Sequence, residues 1–426
     1  MAERLTTPQQ LQRRTFSLLF FLLMSVGMGQ SLAFIVVPPV AREVGLNEVE
    51  VGLVYAFSAL LWLWASPIWG RLSDRLGRRR IIVIGGLGYA LSLVLFITVL
   101  RLGQWGWIPM GIFLPLLILA RLINGGLGSA TRPASLGFVA DFTTTARRTR
   151  GFSRVEAGFA LGIAAGPMLG SLLFMLGSQL GEWGLASHYQ DVLPFFVFAA
   201  LGGGLAIFAG SVLPQASAHR LGGGANRSDG SEEPLRPWDV SIWPFMILAV
   251  IHGIGNAVFA QTAAFYFLDA LSAPRDDLNM LVSLGFGLMS GGNVLLTLLI
   301  VPRLNLQPRF LLRAGSVFLM LAAVLMLFKL NLTLAMMSMC LFGIGSGMLI
   351  PGRSAALSLT IDAHRQGEAM GLIGSVMPIG HVLSPVLIMP LYLWDSAAPY
   401  GLLVVLCFLG VLLTLQSPVI RALGAR

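Results

Sequence analysis

The sequence predicts an all-α membrane protein in which twelve transmembrane helices form two similar six-helix bundles. Composition, the number of long apolar segments and an internal repeat support this fold class. Hydrophobic residues make up 56% of the 426 residues and charged residues only 11%, whereas soluble domains contain roughly 45–50% and about 25%. A soluble globule of this size could not bury so much apolar surface, but a lipid bilayer solvates that surface directly.

Twelve apolar segments each reach the ~20 residues that a helix needs to cross the hydrocarbon core. They lie near residues 15–38, 49–70, 79–100, 109–140, 152–176, 192–214, 240–268, 277–301, 309–329, 333–360, 367–392 and 398–418. The first follows Arg13 and Arg14, as in a signal peptide, but it is longer than the apolar region of such a peptide and further spans follow directly. We therefore expect an uncleaved first helix.

The basic residues predict the orientation. With a cytoplasmic N-terminus, the two tails and the loops after even-numbered helices collect 21 of the 28 Lys and Arg residues, and the outer loops hold only Arg42, Arg101, Arg275 and Lys329. This asymmetry follows the positive-inside rule. It predicts a multi-pass protein of a bacterial-type inner membrane with both termini in the cytoplasm. Because topology accounts for the net charge of +9, we expect no nucleic-acid partner.

One long polar stretch, residues 215–239, separates the sixth and seventh spans. Its glycines, serines and mixed charges are typical of a flexible cytoplasmic linker. The sequence therefore predicts an N-terminal six-helix bundle at residues 1–214 and a C-terminal six-helix bundle at residues 240–426.

Two short motifs recur in the two predicted bundles. Arg132 begins the sequence Arg-Pro-Ala-Ser-Leu and Arg353 begins Arg-Ser-Ala-Ala-Leu, and each arginine is followed nine residues later by an aspartate. The Gly-x-Gly pattern of residues 27–30 likewise recurs at residues 253–256. Many secondary transporters are built from two related halves with the substrate site between them.

The sequence argues against several other classes of protein. Cys340 and Cys407 both lie inside apolar segments and the five histidines are not clustered, so we expect neither disulfides nor a metal site. The single lysine, Lys329, follows no Gly-rich loop, which excludes a P-loop ATPase. We expect a monomeric transporter without a cofactor, and not an enzyme.

Four motifs resemble those of a known transporter family. The loop Gly70–Arg80 is similar to the signature loop of the major facilitator superfamily. Gly162–Gly170 resembles the Gly-Pro motif of its drug:proton antiporter branch, and Arg121–Gly128 resembles the fourth-helix motif of that branch. Asp141–Phe152 continues as in tetracycline-type exporters. The resemblance covers the whole chain and implies the twelve-helix fold of that superfamily.

The resemblance also implies roles for individual residues. The 70–80 loop is expected to latch the two halves in the outward-facing state. The predicted latch residues are Gly70, Asp74, Arg75, Gly77, Arg78 and Arg121. Helix five is expected to be a packing hinge that limits leakage, because glycines spaced four apart let helix backbones approach closely and a proline bends the helix. The predicted hinge residues are Gly162, Gly166, Pro167 and Gly170.

Two arginines are predicted near the middle of the bilayer. Arg132 lies nine residues, or about 13.5 Å of helix, from Asp141 at the cytoplasmic end, and Arg353 occupies the equivalent depth in helix ten. Burying a guanidinium costs at least ~2.5–3.5 kcal/mol, so such residues normally face a cavity and serve a function. The resemblance implies that helices one, four, seven and ten line a central cavity, which both arginines would face.

The acidic residues bear on the substrate, because we expect none of the 19 at this depth. Cation-exporting members of the superfamily commonly carry an acid in the first helix, where this chain has Ser25, Val26 and Gly27. Two central arginines without a central carboxylate favour an anionic substrate, whose carboxylate or phosphate would supply the countercharge. The predicted substrate-binding residues are Arg132, Arg353, Gln30, Asn256, Gln261 and Tyr266.

Proton coupling requires a group that changes its charge during transport. His252 is predicted near mid-depth in helix seven and His381 deep in helix eleven, and histidine titrates in the range in which a proton gradient operates. Glu156 and Asp141, near the cytoplasmic side, are competing candidates. All four residues stay open as proton-coupling groups.

The function that the sequence favours is proton-coupled export of a small organic anion by alternating access, for example a carboxylate siderophore or a similar metabolite. A broad-specificity multidrug:proton antiporter is the first alternative, which the export-branch motifs favour and the distribution of acids opposes. An anion facilitator or importer is the second alternative. The repeated central arginines argue against a receptor or scaffold that does not transport.

Overall fold

The computed structural model describes residues 8–142, 145–182, 192–214, 236, 238–271, 278–304, 306–329, 331–361 and 366–423. In this part of the chain, eleven helices are long and apolar enough to cross a membrane. A bent pair, Ala157–Ile163 with Ala165–Phe174, brings the number to twelve if it is one span. The predicted all-helical membrane fold is confirmed, with eleven to twelve spans where the sequence predicted twelve.

The described residues form seventeen α-helices. Seven precede the predicted linker: α1 Pro8–Glu43, α2 Glu48–Leu76, α3 Arg78–Gln104, α4 Met110–Gly126, α5 Thr131–Asp141, α6 Thr145–Glu182 and α7 Leu193–Val212. Ten follow it: α8 Trp243–Asp269, α9 Leu278–Val294, α10 Val301–Leu304, α11 Pro308–Leu327, α12 Leu332–Thr360, α13 Gln366–Val376, α14 Ile379–Leu383, α15 Met389–Trp394, α16 Ala398–Gln416 and α17 Pro418–Ala422. Two π-helical segments continue α9 and α14: Leu295–Ile300 and Ser384–Ile388.

The Cα positions group into two compact units. Unit 1 contains Met1–Ala33 and Phe57–Ser231, and unit 2 contains Phe34–Ala56 and Glu232–Arg426. Helices α1 and α2 therefore run mostly through unit 1, but their connected ends, residues 34–56, belong to unit 2. We call residues 34–56 the hairpin tip.

The predicted linker, residues 215–239, lies almost wholly outside the described residues. The predicted bundle boundaries next to it stay a prediction. The ends of the helices are named outer and cytoplasmic below according to the orientation that the basic residues predict. In that orientation the hairpin tip is at the outer side.

In unit 1, glycines bring α1 and α6 into backbone contact. A side-chain carbon at Gly158, Gly162 or Gly166 of α6 would collide with the backbone of α1, and one at Gly27 of α1 would collide with the backbone of α6. Small residues at such a contact let two helices pack closely in lipid, where van der Waals contact replaces the hydrophobic effect as the driving force. Helix α6 therefore follows α1 over several turns.

Helix α6 bends by 45° between Ile163 and Ala165. Pro167 has no backbone N–H, and its ring collides with the carbonyl of the residue four positions earlier, which is Ile163. This is the usual cause of a sharp bend within a helix. Gly170 lies beyond the bend and faces the side chain of Leu32 in α1, so the two helices stay in contact on both sides of it.

An arginine near the start of one helix caps the end of another in each unit. Arg79 of α3 donates a hydrogen bond to the carbonyl of Leu213, just after α7, at 3.2 Å. Arg313 of α11 donates to the carbonyl of Thr414, near the end of α16, at 3.3 Å. The last carbonyls of a helix lack partners within the helix and attract cations. The two halves therefore repeat a contact as well as a sequence pattern.

Glycines in unit 2 make close contacts at other helix pairs. Gly343 of α12 lies on the backbone of α9, and Gly345 of α12 lies on that of Gly315 in α11. Gly253 of α8 and Gly380 of α14 also meet at backbone distance, so that a side-chain carbon at either would collide. A side-chain carbon at Gly255 of α8 would also lie within 3.4 Å of Phe342 in α12. Helix α8 therefore lies against both α12 and α14, and the polar side chains described next lie on these helices.

Candidate functional site

Arg353 of α12 is buried in unit 2 with part of its guanidinium unsatisfied. Only 4% of the residue is exposed, and its Nε and Nη1 have no hydrogen-bond partner among the described residues. Its Nη2 lies 3.5 Å from Nδ1 of His252 and 3.9 Å from the sulfur of Met377. Because buried polar groups normally find partners, the open donors of Arg353 are suited to an acceptor that a ligand brings.

His252 of α8 lies between two polar side chains of α12. Its Nδ1 faces Arg353, and its Nε2 lies 2.9 Å from the hydroxyl of Ser346. A guanidinium only donates hydrogen bonds, so Nδ1 of the neutral ring accepts and Nε2 carries the hydrogen that it donates to Ser346. The ring is 2% exposed and stacks against Phe342, with 6.1 Å between ring centroids. The surrounding contacts thus select one tautomer of a buried histidine.

Gln261, nine residues after His252 in α8, connects to a second histidine. Its Nε2 donates to Nδ1 of His381 at 2.8 Å, and its Oε1 accepts from the hydroxyl of Ser384 at 2.7 Å. The His381 ring also stacks on Phe34 of the hairpin tip, with 5.2 Å between centroids. Ser384 begins a π-helical segment, a type of turn that is frequent at functional sites. We call Gln261, His381 and Ser384 the Gln261 cluster.

The structure thus joins four of the predicted site residues in two pairs, both in unit 2. Arg353 meets His252, and Gln261 meets His381. Asn256 lies between the two pairs on α8 and is partly exposed. In that part of the chain which the structure describes, no group of three or more His, Cys, Asp or Glu residues could hold a metal ion.

The remaining predicted substrate-binding residues are placed differently. Tyr266 is 1% exposed, and its hydroxyl donates to the backbone carbonyl of Met326 at 2.6 Å. In unit 1, Gln30 has a buried Oε1 without a partner among the described residues, and the guanidinium of Arg132 lies 5.3 Å from the ring centroid of Phe159. The predicted facing of Arg132 and Arg353 would join two different units and stays a prediction.

The predicted latch loop is held within unit 1 by Arg78. Its Nε donates to Asp141 at 3.1 Å and its Nη1 to Ser73 at 2.6 Å, and the Ser73 hydroxyl donates to the carbonyl of Gly70 at 2.7 Å. Gly77, between α2 and α3, has a φ of +96°, which favours glycine. Asp141, a predicted proton-coupling residue, is therefore also an ion-pair partner of the predicted latch.

Four of the predicted latch and proton-coupling residues remain: Arg75, Arg121, Asp74 and Glu156. Arg75 is exposed, and Arg121 is 3% exposed with its guanidinium 5.5 Å from the ring centroid of Phe96. The side chains of Asp74 and Glu156 lie outside the described residues. The latch, hinge and coupling roles all stay predictions.

The sequence reasoning missed Ser346, Ser384 and Phe34. A weak signal for Ser346 existed, because it precedes Arg353 by seven residues, or two helical turns, and so lies on the same face of α12. Ser384 follows His381 by three residues and lies on the same face in the same way. Phe34 carries no such signal, since its contact with His381 depends on how the hairpin tip packs within unit 2.

Comparison with known families and proteins gives a consistent result. The family profile described as Major Facilitator Superfamily matches residues 19–385. The chain is 22% identical over 409 residues to the quinolone resistance protein NorA of Staphylococcus aureus, covering 95% of this chain and 96% of that protein. It is 33% identical over 178 residues to the class D tetracycline resistance protein of Salmonella ordonez, covering 41% of this chain and 38% of that protein.

Among solved structures, the chain is similar to the human organic anion transporter MFSD10 (TETRAN), with a TM-score of 0.65. The sequences are 18% identical, and the match covers 95% of this chain and 99% of that chain. At this identity the likeness concerns the fold alone.

Proposed function

Because this chain belongs to the Major Facilitator Superfamily, whose members are transporters and not enzymes, we propose that it exports small organic molecules across a bacterial-type inner membrane in exchange for protons. The observation that carries this proposal is the similarity, along 95% of the chain, to a quinolone resistance protein. A tetracycline resistance protein, named for a chemically unrelated drug, matches a shorter segment. Two unrelated drug classes favour broad specificity over the single organic anion that the sequence favoured.

The packing of α1 on α6 supports an export function. The glycines of the motif that resembles the drug:proton antiporter branch, Gly162, Gly166 and Gly170, all lie at this contact. Close contact at these glycines narrows the space between the two helices, and an exporter that works against a gradient must limit leaks of ions and water.

Transport into everted membrane vesicles tests the proposed function. Vesicles that contain the chain should accumulate a quinolone, tetracycline and a lipophilic cation when respiration acidifies their interior. A protonophore should abolish that accumulation. Vesicles without the chain are the control, and equal accumulation in both preparations would contradict the proposal.

Export of organic anions is a second candidate, and Arg353 is the observation that favours it. Its buried guanidinium has open donors, which a substrate carboxylate would satisfy and whose charge it would neutralise. Cations would be repelled from this position. The relatives named above give no support to the narrower expectation of a siderophore.

A quinolone and its methyl ester separate the two candidates, because the ester lacks the carboxylate charge and adds only one methyl group. If the carboxylate binds Arg353, the ester should be exported roughly tenfold or more less efficiently, since hydrogen bonds to a charged group contribute about 1.5–3 kcal/mol. Equal export of acid and ester would exclude a carboxylate requirement and leave the broad drug exporter.

His252 is the first candidate for proton coupling, because a carboxylate on Arg353 and a proton on His252 would interact at close range. His252→Gln keeps hydrogen-bonding capacity and removes titration. We expect this variant to retain substrate binding and exchange but to lose accumulation driven by a pH gradient. If accumulation survives there and fails in Glu156→Gln or Asp141→Asn, a cytoplasmic carboxylate carries the proton. His381→Gln tests the remaining candidate in the same way.

A further inference from the structure

Arg42 joins the hairpin tip to the rest of unit 2 by an ionic contact. Arg42, at the end of α1, donates from Nη1 and Nη2 to the two carboxylate oxygens of Asp269 at the end of α8, both at 2.6 Å. Its Nε also donates to Glu48 at the start of α2, at 2.9 Å. A paired contact of this kind between a guanidinium and a carboxylate is stronger and more directional than a single ion pair.

The surroundings of this arginine indicate a built site. Glu48 is only 8% exposed. The hydroxyl of Tyr392 in α15 donates to Asp269 at 2.7 Å, and the Arg42 guanidinium lies 4.6 Å from the ring centroid of Phe265. The contact with Glu48 is partly buried and so competes less with water. The contact with Asp269 is exposed, and its paired geometry distinguishes it from an ordinary surface ion pair.

Apolar contacts align the same surfaces. Gly52 of α2 lies against Pro385 and Met389, where a side-chain carbon would be within 3.4 Å of both residues. Phe34 of α1 stacks on His381. The hairpin tip thus packs on the outer parts of α8, α14 and α15 at three points, and only the Arg42 contact is ionic among these.

Helices α1 and α2 are continuous, and apart from the tip their residues belong to unit 1. The tip is therefore a segment that leaves its own helices' unit to pack within the other. Alternating access requires that the substrate path open to each side in turn. We expect opening to the outside to separate the tip from α8 and α15, which would break the contact of Arg42 with Asp269.

We propose that Arg42 is an outer clamp, which holds the hairpin tip on Asp269, a residue that Tyr392 also binds, and must release Asp269 before substrate can leave to the outside. Glu48 keeps the guanidinium on the tip when the clamp opens, because Arg42 and Glu48 both belong to the tip. Asp269, which belongs to α8, is the partner that Arg42 loses. The clamp acts on the balance between two conformations and makes no contact with substrate, so the proposal holds for any substrate class.

Distances between spin labels test the clamp in the full-length chain. Labels on Val44→Cys in the tip and Trp394→Cys at the end of α15 report their separation in lipid nanodiscs, with Cys340 and Cys407 replaced by Ser. Without substrate, the parent should show mainly the short distance. Arg42→Ala and Asp269→Asn should each raise the ratio of long to short distances roughly tenfold or more, because each removes a charged hydrogen-bond pair.

An outer ion pair elsewhere in unit 2 supplies the matched control. Lys329 donates to Asp395 at 2.9 Å, and this pair does not involve the hairpin tip. The Lys329 ammonium and the backbone N–H of Ala397 hold the pKa of the Asp395 carboxyl below its ordinary value. Lys329→Ala removes one outer ion pair of similar length and should leave the distance ratio unchanged.

The exchange of charges separates a clamp from a general folding role. Arg42→Asp combined with Asp269→Arg should restore much of the short distance, whereas Arg42→Asp alone should favour the long one. An unchanged ratio in Arg42→Ala, or an equal shift in Lys329→Ala, would overturn the proposal. Since the distances are measured without substrate, a shift in a chain that fails to export drugs would support the clamp and contradict only the proposed function.

Discussion

Helices α1 and α6 of unit 1 and helices α8 and α14 of unit 2 meet through glycines that occupy matching places in the sequence repeat. Gly27 begins the repeated pattern in α1 and lies on the backbone of α6, and Gly253 begins it in α8 and lies on the backbone that leads into α14. Beyond this common crossing, the two pairs differ. In unit 1 the contact continues through further glycines, whereas in unit 2 it continues through the hydrogen bonds of Gln261.

The difference indicates that the glycine contact in unit 1 suits a structural role, whereas the polar contact in unit 2 suits a role in transport. A contact made of backbone and glycine has no group that can change its charge or bind a ligand, so it suits a scaffold. A contact made of amide, imidazole and hydroxyl groups can rearrange its hydrogen bonds. Arg353 and His252, which contact each other, belong to unit 2 as the Gln261 cluster does. We therefore expect variants of unit 1 to affect stability first, and variants of unit 2 to affect transport first.

The largest effect, a loss of folded protein, is expected for Gly162→Val at the contact of α1 with α6. Two methyl groups and a Cβ at this position collide with the backbone of Met24, and overpacking of a close contact typically costs ~1–3 kcal/mol and sometimes more. The variant should lose most of its folded protein after extraction into detergent, as measured by size-exclusion chromatography and thermal unfolding.

Gly204→Val is the matched control for this substitution. Gly204 lies in α7 of the same unit, and a side-chain carbon there meets nothing within 4 Å. We expect this variant to remain near the parent in both measurements. Similar losses in the two variants would show that glycine matters for helix flexibility in this unit and not for the contact of α1 with α6.

The next effect concerns Arg353. Arg353→Ala should raise the KM for a quinolone roughly 10- to 100-fold in everted vesicles, because hydrogen bonds to a charged group are worth about 1.5–3 kcal/mol. Arg353→Lys should recover only part of the loss, since an ammonium lacks the planar arrangement of donors. Thermal unfolding should change little, because the guanidinium is incompletely satisfied without a ligand.

Arg132→Ala tests whether the predicted arginine of unit 1 also binds substrate. If both arginines bind substrate, as the sequence suggests, the two alanine variants should raise KM alike. A loss confined to Arg353→Ala would assign the anion site to unit 2 alone. Normal KM in both variants would remove the anion site from the mechanism altogether.

The smallest effect is expected for the Gln261 cluster. Gln261→Leu leaves the hydroxyl of Ser384 and Nδ1 of His381 without their present partner, and an unsatisfied buried group costs about 1–3 kcal/mol. We expect a lower turnover at an unchanged KM, measured with tetracycline, because the cluster lies away from Arg353. Gln261→Glu preserves shape and should retain more turnover than Leu. A change of KM with turnover intact would instead make the cluster part of the binding site.

The sequence predicted the fold of this chain well because a bilayer imposes simple constraints. A helix that crosses the hydrocarbon core needs about 20 apolar residues, so the spans appear as separate segments. The bend in α6 is the exception, because its two parts, Ala157–Ile163 and Ala165–Phe174, are long and apolar enough to cross only if they are taken together. Here the sequence also contains the cause, Pro167.

For the candidate site, the sequence indicated residues but not their contacts. Arg353 and His252 were singled out because charged and titratable groups are rare at membrane depth. Their contact with each other, 101 positions apart in the sequence, depends on the packing of α8 against α12. Ser346 completes the arrangement, and a serine in an apolar helix is too common to be noticed without that packing.

The few basic residues predicted on the outer side also indicate where polar contacts form. The positive-inside rule leaves only four of them, and each exception invites a reason for its retention. Arg42 binds Asp269 and Glu48, Lys329 binds Asp395, and Arg101 donates to Gln104 at 2.7 Å. A cation that opposes the topology signal is thus a useful candidate for a structural or conformational role.

By itself, the sequence determined the membrane environment, the helical fold and the family, because these depend on composition, on segment length and on short motifs that are local in the chain. The tertiary structure decided which polar groups meet: Arg353 with His252, Gln261 with His381, and Arg42 with Asp269. Such contacts depend on the rotation and crossing of helices that are far apart in sequence. In lipid, where apolar side chains gain nothing by leaving solvent for a neighbouring helix, the fit of small residues and a few hydrogen bonds sets that rotation.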